Sequence, residues 1–373
     1  MLNMITCGES HGQSMAAIVE GMPSGLPVDL GFINGELARR QKGYGRGGRQ
    51  KIEKDKVEVI GGVLKGKTTG APVGFLLTNA DFKIDSMPDL FRPRPGHADL
   101  AGALKYDQNI RPVLERASAR ETVMRVAAGA LAKLLLREFG IEIAGHVVQI
   151  GKAACEESPA LTVKKIREAA ERSEVACVCA KTEKLMIAEI DRARQSKDSI
   201  GGVFEVRACG VPAGIGSHVH FERKLDARLA HRLMGLQSVK AVEIGDGIKL
   251  GTCPGSAAHD EIFYSKEKGY FRETNRAGGI EGGMSNGSDI VVRAVMKPIA
   301  TLGQPLASVN MQTRRPEKAD YERADICAVP AGSVIGESLV AYTLAEAFLE
   351  KFGGDSLREI RRNFDGYLKQ IHE

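Results

Sequence analysis

Arg92, Arg94, His97, Asp99, Arg111, Arg116, Arg120 and Arg125 crowd into one stretch, RPRPGHADLAGALKYDQNIRPVLERASARETVMR. Guanidinium groups hold phosphate and carboxylate through paired, fixed-geometry hydrogen bonds. A histidine among them can give or take a proton near neutral pH. The stretch therefore predicts a pocket for a small polyanion on which acid–base chemistry is done. Further segments have the same flavour. Gly8-Glu9-Ser10-His11-Gly12 sets a histidine between glycines, and Arg39 to Lys51 spreads Arg39, Arg40, Arg46 and Arg49 along a Gly-rich loop. Such a loop suits a clamp over an anion; a solvated or RNA-binding basic loop is the plainer reading. Arg116-Ala117-Ser118 precedes a helix whose free N–H groups would favour a phosphate. Asn275 to Gly287, NRAGGIEGGMSNG, allows close backbone approach to a flat ligand or a phosphate, yet fits neither the dinucleotide nor the P-loop pattern. Arg323-Ala324-Asp325 offers a carboxylate as a base, or an ordinary ion pair.

The elements that must carry these residues follow from periodicity. Two strands, 57–64 and 71–79, flank a turn. Residues 83–112 read as a long Pro-rich functional loop. Ser118 and Glu121 have capping-box spacing ahead of a helix that runs to Gly140. Strands are expected at 141–150, 203–208, 239–244 and 290–296. Helices are expected at 162–172, 225–236, 335–352 and 357–371. The helix at 335–352 reads as amphipathic, with Leu339, Tyr342, Ala345, Phe348 and Leu349 on one face. No linker divides the chain, so residues 1–373 are expected to form one large α+β domain.

Composition narrows the function. The chain has 373 residues, 43% of them apolar, and a net charge of +5. That excess fits an anionic substrate and is too small to argue for nucleic acid. There is no Trp and little Phe or Tyr for base stacking. The seven cysteines lack zinc spacing and are expected to be buried, reduced thiols, with no metal site. No apolar run spans a bilayer and the start MLNMITCGESHG is no secretory signal, so a cytoplasmic protein without membrane contact is expected.

Taken together and in this order, GESHG, RRQKGYGRG, RPGHAD, RASARET, VEIGDG at Val242, AGGIEGG and KP resemble the chorismate synthase family over nearly the whole chain. The resemblance implies a β-α-β sandwich with central helices between antiparallel sheets, usually assembled as a homotetramer. It implies a lyase that converts 5-enolpyruvylshikimate 3-phosphate to chorismate by 1,4-elimination of phosphate. Reduced FMN is then required without net redox change, supplied by an external flavin reductase or with NADPH as reductant. By the same resemblance His11 protonates the departing phosphate, His97 keeps the reduced flavin anionic, and Asp325 assists its N5 in taking the C6 proton. Ser10 and Ser118 join the hydrogen-bond network. Arg40, Arg46, Arg49, Arg94 and Arg120 fall where the family binds substrate, and Arg40 and Arg46 also where it contacts NADPH. FMN contacts fall on Arg116, Ala117, Ser118, Gln237, Ser238, Gly282, Lys297, Pro298, Ile299, Ala300, Thr301 and Arg323. Two positions depart from many members, Ala324 for His and Ala331 for Arg, and put flavin contact near Arg323 in question. His146, His218, His220, His231 and His259 belong to no motif and read as structural. Two other classes remain open: a polyanion-binding protein, and a flavin oxidoreductase with net hydride transfer.

Overall fold

The computed structural model describes residues 2–48, 54–155, 161–322 and 325–372. Its first sheet is antiparallel, in the order β1-β2-β6-β3. It is built from β1 (Asn3–Cys7), β2 (Ser14–Glu20), β3 (Glu58–Gly61) and β6 (Val73–Thr78), with a small hairpin of β4 (Val63–Leu64) and β5 (Lys67–Thr68) between the last two. Register runs Asn3↔Glu20 to Cys7↔Ala16 in β1–β2, and Ser14↔Thr78 to Val19↔Val73 in β2–β6. Alternate residues of β2 (Met15, Ala17, Val19) are buried while Ile18 and Glu20 face outward, the period-2 pattern of a sheet covered on one face.

The second sheet is also antiparallel, ordered β10-β15-β9-β7-β8. Its strands are β7 (Glu142–Ile150), β8 (Ala153–Ala154), β9 (Gly202–Cys209), β10 (Val239–Ile244) and β15 (Ile290–Met296). Two hairpins, β11 (Phe263–Ser265) with β12 (Gly269–Phe271) and β13 (Ile280–Glu281) with β14 (Met284–Ser285), lie between β10 and β15 in the chain. A third, β16 (Ala307–Val309) with β17 (Pro316–Lys318), follows. Strand β7 is buried along almost its whole length, so helices must cover both of its faces.

The helices are α1 (Leu30–Gln41), α2 (Asp99–Tyr106), α3 (Ile110–Ala117), α4 (Thr122–Arg137), α5 (Val163–Arg172), α6 (Ala180–Gln195), α7 (Leu225–Met234), the short α8 (Gly255–Ala258), α9 (Val329–Phe352) and α10 (Leu357–His372). Helix α4 packs on β1 and β2 of the first sheet, α9 packs on β7 and β9 of the second, and α4 crosses α9 between them. The result is the sheet–helix–sheet sandwich of an α+β fold. The crossing depends on Gly129, where an added Cβ would lie 2.5 Å from Ser338 Cβ. Polar groups within this layer are paired with one another. Glu337 on α9 accepts from Arg39 Nη2 at 2.9 Å, Lys133 Nζ at 2.6 Å and the Gly145 N–H at 2.9 Å. Glu36 on α1 accepts from the same Lys133 and from Arg39 Nη1 at 2.8 Å.

Several sequence expectations change. Residues 83–112 are not a featureless loop, since they hold α2 and the start of α3. Helix α9 begins at Val329, six residues before the expected start, and is not amphipathic, because residues on every side of it are buried. Helix α6 was not anticipated. At Ser118 the capping box is half made. Ser118 Oγ accepts from the Arg120 N–H, whereas Glu121 turns to Thr6 and Arg125. All seven cysteines are free, with Cys155, Cys177 and Cys327 buried and Cys7 exposed, against the expectation of buried thiols throughout. Burial pushes the Cys177 thiol up to about 12 and Cys327 up to about 11, so neither is a ready nucleophile. Among the described residues no helix is long and apolar enough to cross a membrane.

Candidate active site

A cavity of about 570 Å³ opens where the β1–β2 turn, the α3–α4 junction, the α7–β10 turn, the segment after β15 and the N-terminal turn of α9 converge. Two helix N-termini, those of α4 and α9, line it through Ser118, Ala119, Arg120 and Thr122 and through Ala328, Ala331 and Gly332. The positive ends of the two helix dipoles favour an anion in the cavity.

The β1–β2 turn brings in Ser10 and His11. Gly8 opens the turn at φ +104°, and an added Cβ there would lie 2.5 Å from Ser14 O. The turn is seated on the last turn of α3. The Ser10 N–H donates to Glu115 O at 3.1 Å and the His11 N–H to Glu115 Oε2 at 2.7 Å. His11 Nδ1 lies 3.0 Å from Glu115 Oε1 and 3.1 Å from Oε2, and its Nε2 is 3.9 Å from Asp81 Oδ2. Ser118 Oγ donates to Ser10 Oγ at 3.1 Å. Burial raises the Glu115 pKa, but hydrogen bonds from His11 and the charges of His11 and Arg111 outweigh it, leaving the carboxyl below its ordinary value.

Arg40, in the last turn of α1, donates from Nε to Thr122 Oγ1 at 3.0 Å and from Nη2 to Ala119 O at 2.9 Å. Burial lowers its pKa to about 10, with Arg46 and Arg120 adding repulsion and Asp55 countering; it stays cationic at neutral pH. Asp55 is the shared counter-ion. It accepts from Arg120 Nη1 at 2.6 Å and from Arg40 Nη1 at 3.4 Å. Asn79 Oδ1 takes Arg120 Nε and Nη2 at 3.1 and 2.8 Å. Arg46 pairs with Asp325 Oδ2 at 2.6 Å, and the other Asp325 oxygen accepts the Gly47 N–H at 2.6 Å.

The Pro-Gly turn before α2 brings His97 to the same cavity. Its Nδ1 makes a short hydrogen bond to Asp99 Oδ1. Arg94 braces the same carboxylate with Nε at 2.8 Å and Nη2 at 3.0 Å, and reaches Thr301 Oγ1 at 2.7 Å. Burial raises the Asp99 pKa, yet His97 and Arg94 together hold the carboxyl far below its usual range. Lys297 Nζ donates to Gly96 O at 3.0 Å; burial and Lys240 lower its pKa. Gln237 and Ser238 enter from the α7–β10 turn, where Ser238 takes the left-handed conformation at φ +69°. Gln237 Oε1 and Arg46 Nε are buried and have no hydrogen-bond partner among the described residues.

Of the residues expected at the site, Ser10, His11, Arg40, Arg46, Arg94, His97, Ala117, Ser118, Arg120, Gln237, Ser238, Lys297, Ile299, Ala300, Thr301 and Asp325 line this one cavity. Pro298 does not. Arg116 instead donates to Thr6 O and Gly8 O on the outside of the β1–β2 turn. Gly282 sits in the β13–β14 turn, away from the cavity. The glycines before it serve backbone-to-backbone packing, since a Cβ at Gly279 would lie 2.5 Å from Asp289 O. Arg49, Arg323 and Ala324 lie outside the described residues. Ala331 is buried on the cavity wall. Sequence reading passed over Glu115, Asp55 and Asn79, which hold the histidine and the arginines. Only Glu115 left a trace, as the lone acid amid the arginines of the RPVLERASAR run.

A sequence model described as chorismate synthase matches residues 2–349. The chain belongs to the chorismate synthase family. The chorismate synthase of Symbiobacterium thermophilum is 52% identical, with 99% of each chain covered. That of Desulforamulus reducens is 49% identical with both chains covered in full. A crystal structure of a chorismate synthase superposes with a TM-score of 0.84 at 40% identity, covering 100% of this chain and 98% of the other. The sandwich described above is therefore the chorismate synthase fold, and family membership favours a lyase over a polyanion-binding protein.

Proposed function

We propose that this chain converts 5-enolpyruvylshikimate 3-phosphate to chorismate and inorganic phosphate, the lyase step of the shikimate pathway towards aromatic amino acids. The observation that carries the reading is one cavity in which His11 and His97 stand among Arg40, Arg46, Arg94 and Arg120. A substrate with one phosphate and two carboxylates needs that density of fixed cation, and partial exclusion of water strengthens each contact. Arg40 and Arg120, locked by Asp55 and Asn79, act as preorganised anion holders and need no reordering when substrate arrives. His11 is the acid that delivers a proton to the departing phosphate oxygen. His97, in the same cavity, exchanges a proton with the flavin. Asp325, held by Arg46 and the Gly47 N–H, would assist in taking the C6 proton.

The cavity suits a flavin as well. Met87, Leu114, Leu236, Met296 and Ile335 offer apolar surface to a ring system, while Gln237 Oε1 and Arg46 Nε are buried polar atoms awaiting partners. Ala117, Ser118, Gln237, Ser238, Lys297, Ile299, Ala300 and Thr301 would hold reduced FMN. Bound reduced FMN supplies electron-transfer chemistry that no side chain here can provide. We assign its reduction to a separate flavin reductase, with NADPH as direct reductant the competing source. We further read residues 1–373 as one domain, supported by a hydrophobic core that runs from Leu2 to Phe364. A cytoplasmic homotetramer would cover the exposed Ile248, Ile262, Tyr264 and Tyr270.

The test is an anaerobic assay with 5-enolpyruvylshikimate 3-phosphate and dithionite-reduced FMN, following chorismate absorbance and released phosphate. Product with reduced flavin and none with oxidised flavin is expected; adding NADPH to oxidised flavin separates the two reductants. Consumption of NADPH in step with product would instead make the protein a net oxidoreductase.

A further inference from the structure

We propose that Glu115 is the positioning residue for His11, fixing which ring nitrogen carries the permanent proton and which one faces the cavity. The inference rests on the reading of His11 as the acid. The geometry is bidentate: His11 Nδ1 lies 3.0 and 3.1 Å from the two Glu115 oxygens. Oε2 also accepts the His11 backbone N–H at 2.7 Å, and the Glu115 carbonyl accepts the Ser10 N–H. One residue thus holds both the ring and the backbone that carries it.

An ionised carboxylate has lone pairs only, so Nδ1 must be the donor. The Glu115 side chain is wholly buried, and neighbouring charges keep it ionised. Arg111 stands behind it, with Nη1 3.5 Å from Oε1, and is itself anchored by Nη2 to Glu322 at 3.1 Å and by Nε to Pro88 O at 3.0 Å. The face of the ring's other nitrogen is set by Asp81, 3.9 Å from Nε2, whose own counter-ion is Lys83 at 2.9 Å. With Nδ1 committed, the transferable proton sits on Nε2. The Nε2–H bond breaks, the O–H bond forms on the departing phosphate, and the imidazolium becomes the neutral Nδ1–H ring that Glu115 continues to hold. His97 has the equivalent partner two residues away in Asp99. Glu115 is 104 positions from His11 in the chain and reaches it only because α3 ends beneath the β1–β2 turn.

Solid-state NMR of protein labelled with ¹⁵N-histidine reads the tautomer directly, with His11→Asn assigning the resonances. Neutral His11 in the wild type is expected as the Nδ1–H form. Glu115→Gln, isosteric but uncharged, is expected to lose that preference. It should lower kcat roughly 10–100-fold with KM changed less than about threefold, as for loss of an orienting charged hydrogen bond. A wild-type ring protonated at Nε2, or an E115Q enzyme with wild-type kcat and a native circular dichroism spectrum, overturns the proposal. If E115Q does not fold, the wild-type tautomer alone decides. An Nδ1–H ring in a protein that makes no chorismate would uphold the positioning role and sink the assigned reaction instead.

Discussion

Glu337→Gln removes one charge from the centre of the molecule, and its cost can be worked from the structure. Glu337 is fully buried on α9, and Glu36 is buried on α1. Between them they balance Arg39 and Lys133, with Arg167 3.6 Å from Glu337. The variant keeps the shape but leaves the buried Lys133 and the half-buried Arg39 facing one carboxylate. Breaking a buried pair in this way costs about 3–5 kcal/mol, because the orphaned charge cannot regain its water. Unfolding entropy near about 2.1 cal/mol/K per residue comes to roughly 0.8 kcal/mol/K for a chain of this length, so Tm should fall by about 4–6 °C. The effect has a pH signature. Burial raises the Glu337 pKa, but Arg39 and Lys133 overcome it and hold the carboxyl far below the ordinary range. A depressed folded-state pKa stabilises above the unfolded value, near about 4.3, and that stabilisation is lost as pH falls towards the folded value. The gap between wild type and variant should therefore be full at pH 7 and close progressively in acid. Differential scanning calorimetry from pH 3 to 8 measures it. A variant melting within about 1 °C of wild type at pH 7, or a gap that widens in acid, would refute the account. Turnover at 25 °C should change little, since Glu337 does not line the cavity.

Three further outcomes are expected. His11→Ala and His97→Ala should each slow turnover by roughly 10²–10⁴-fold in steady-state assays while circular dichroism stays native; wild-type turnover in either removes that histidine from the chemistry. Arg120→Lys cannot reproduce the fork held by Asp55 and Asn79. It should lower kcat/KM by roughly 10–100-fold, and an unchanged value would show that the anion does not touch Arg120. Gly129→Ala forces α4 and α9 apart at Ser338 and should destabilise by about 1–3 kcal/mol in urea unfolding despite the better helix propensity of alanine; a stabilised variant would mean the crossing yields freely.

The order of strands and outer helices is legible in the sequence because each carries a clean period. Strands β7, β9, β10 and β15 and helices α5, α7 and α10 fall within a residue or two of their expected spans. Helix α9 misled because Glu337, Ser333, Ser338 and Thr343 look like a solvent face. They are buried: Glu337 accepts from Lys133 and Arg39, and the hydroxyls donate to carbonyls one turn back. Helices α2 and α3 hid because eight-residue helices containing Gly102 or Pro112 show too few turns for periodicity to register. At the cavity, Arg40, Arg46, Arg94, Arg120, His11 and His97, all singled out in the sequence, line one wall or another. Of the carboxylates that orient them, Asp55 and Glu115 stay illegible in the sequence because they gain their meaning only through long-range contacts. Arg116, from the same arginine-rich run, does not line the cavity and donates to Thr6 O and Gly8 O instead.

The central position of α9 also bears on how the chain matures. Every strand of both sheets precedes Val329, so on the ribosome the two sheets and α4 are made before the helix that fills the space between them. Until it arrives, the inner faces of β7 and β9 and the side of α4 that packs on it have no cover, and the wall of the cavity that carries Ala331 does not exist. Such a nascent chain exposes apolar surface for the whole time it takes to synthesise the later hairpins, a period in which aggregation competes with folding and chaperones have reason to hold it. Closure of the core and completion of the site then become a single late event, set by the docking of one helix.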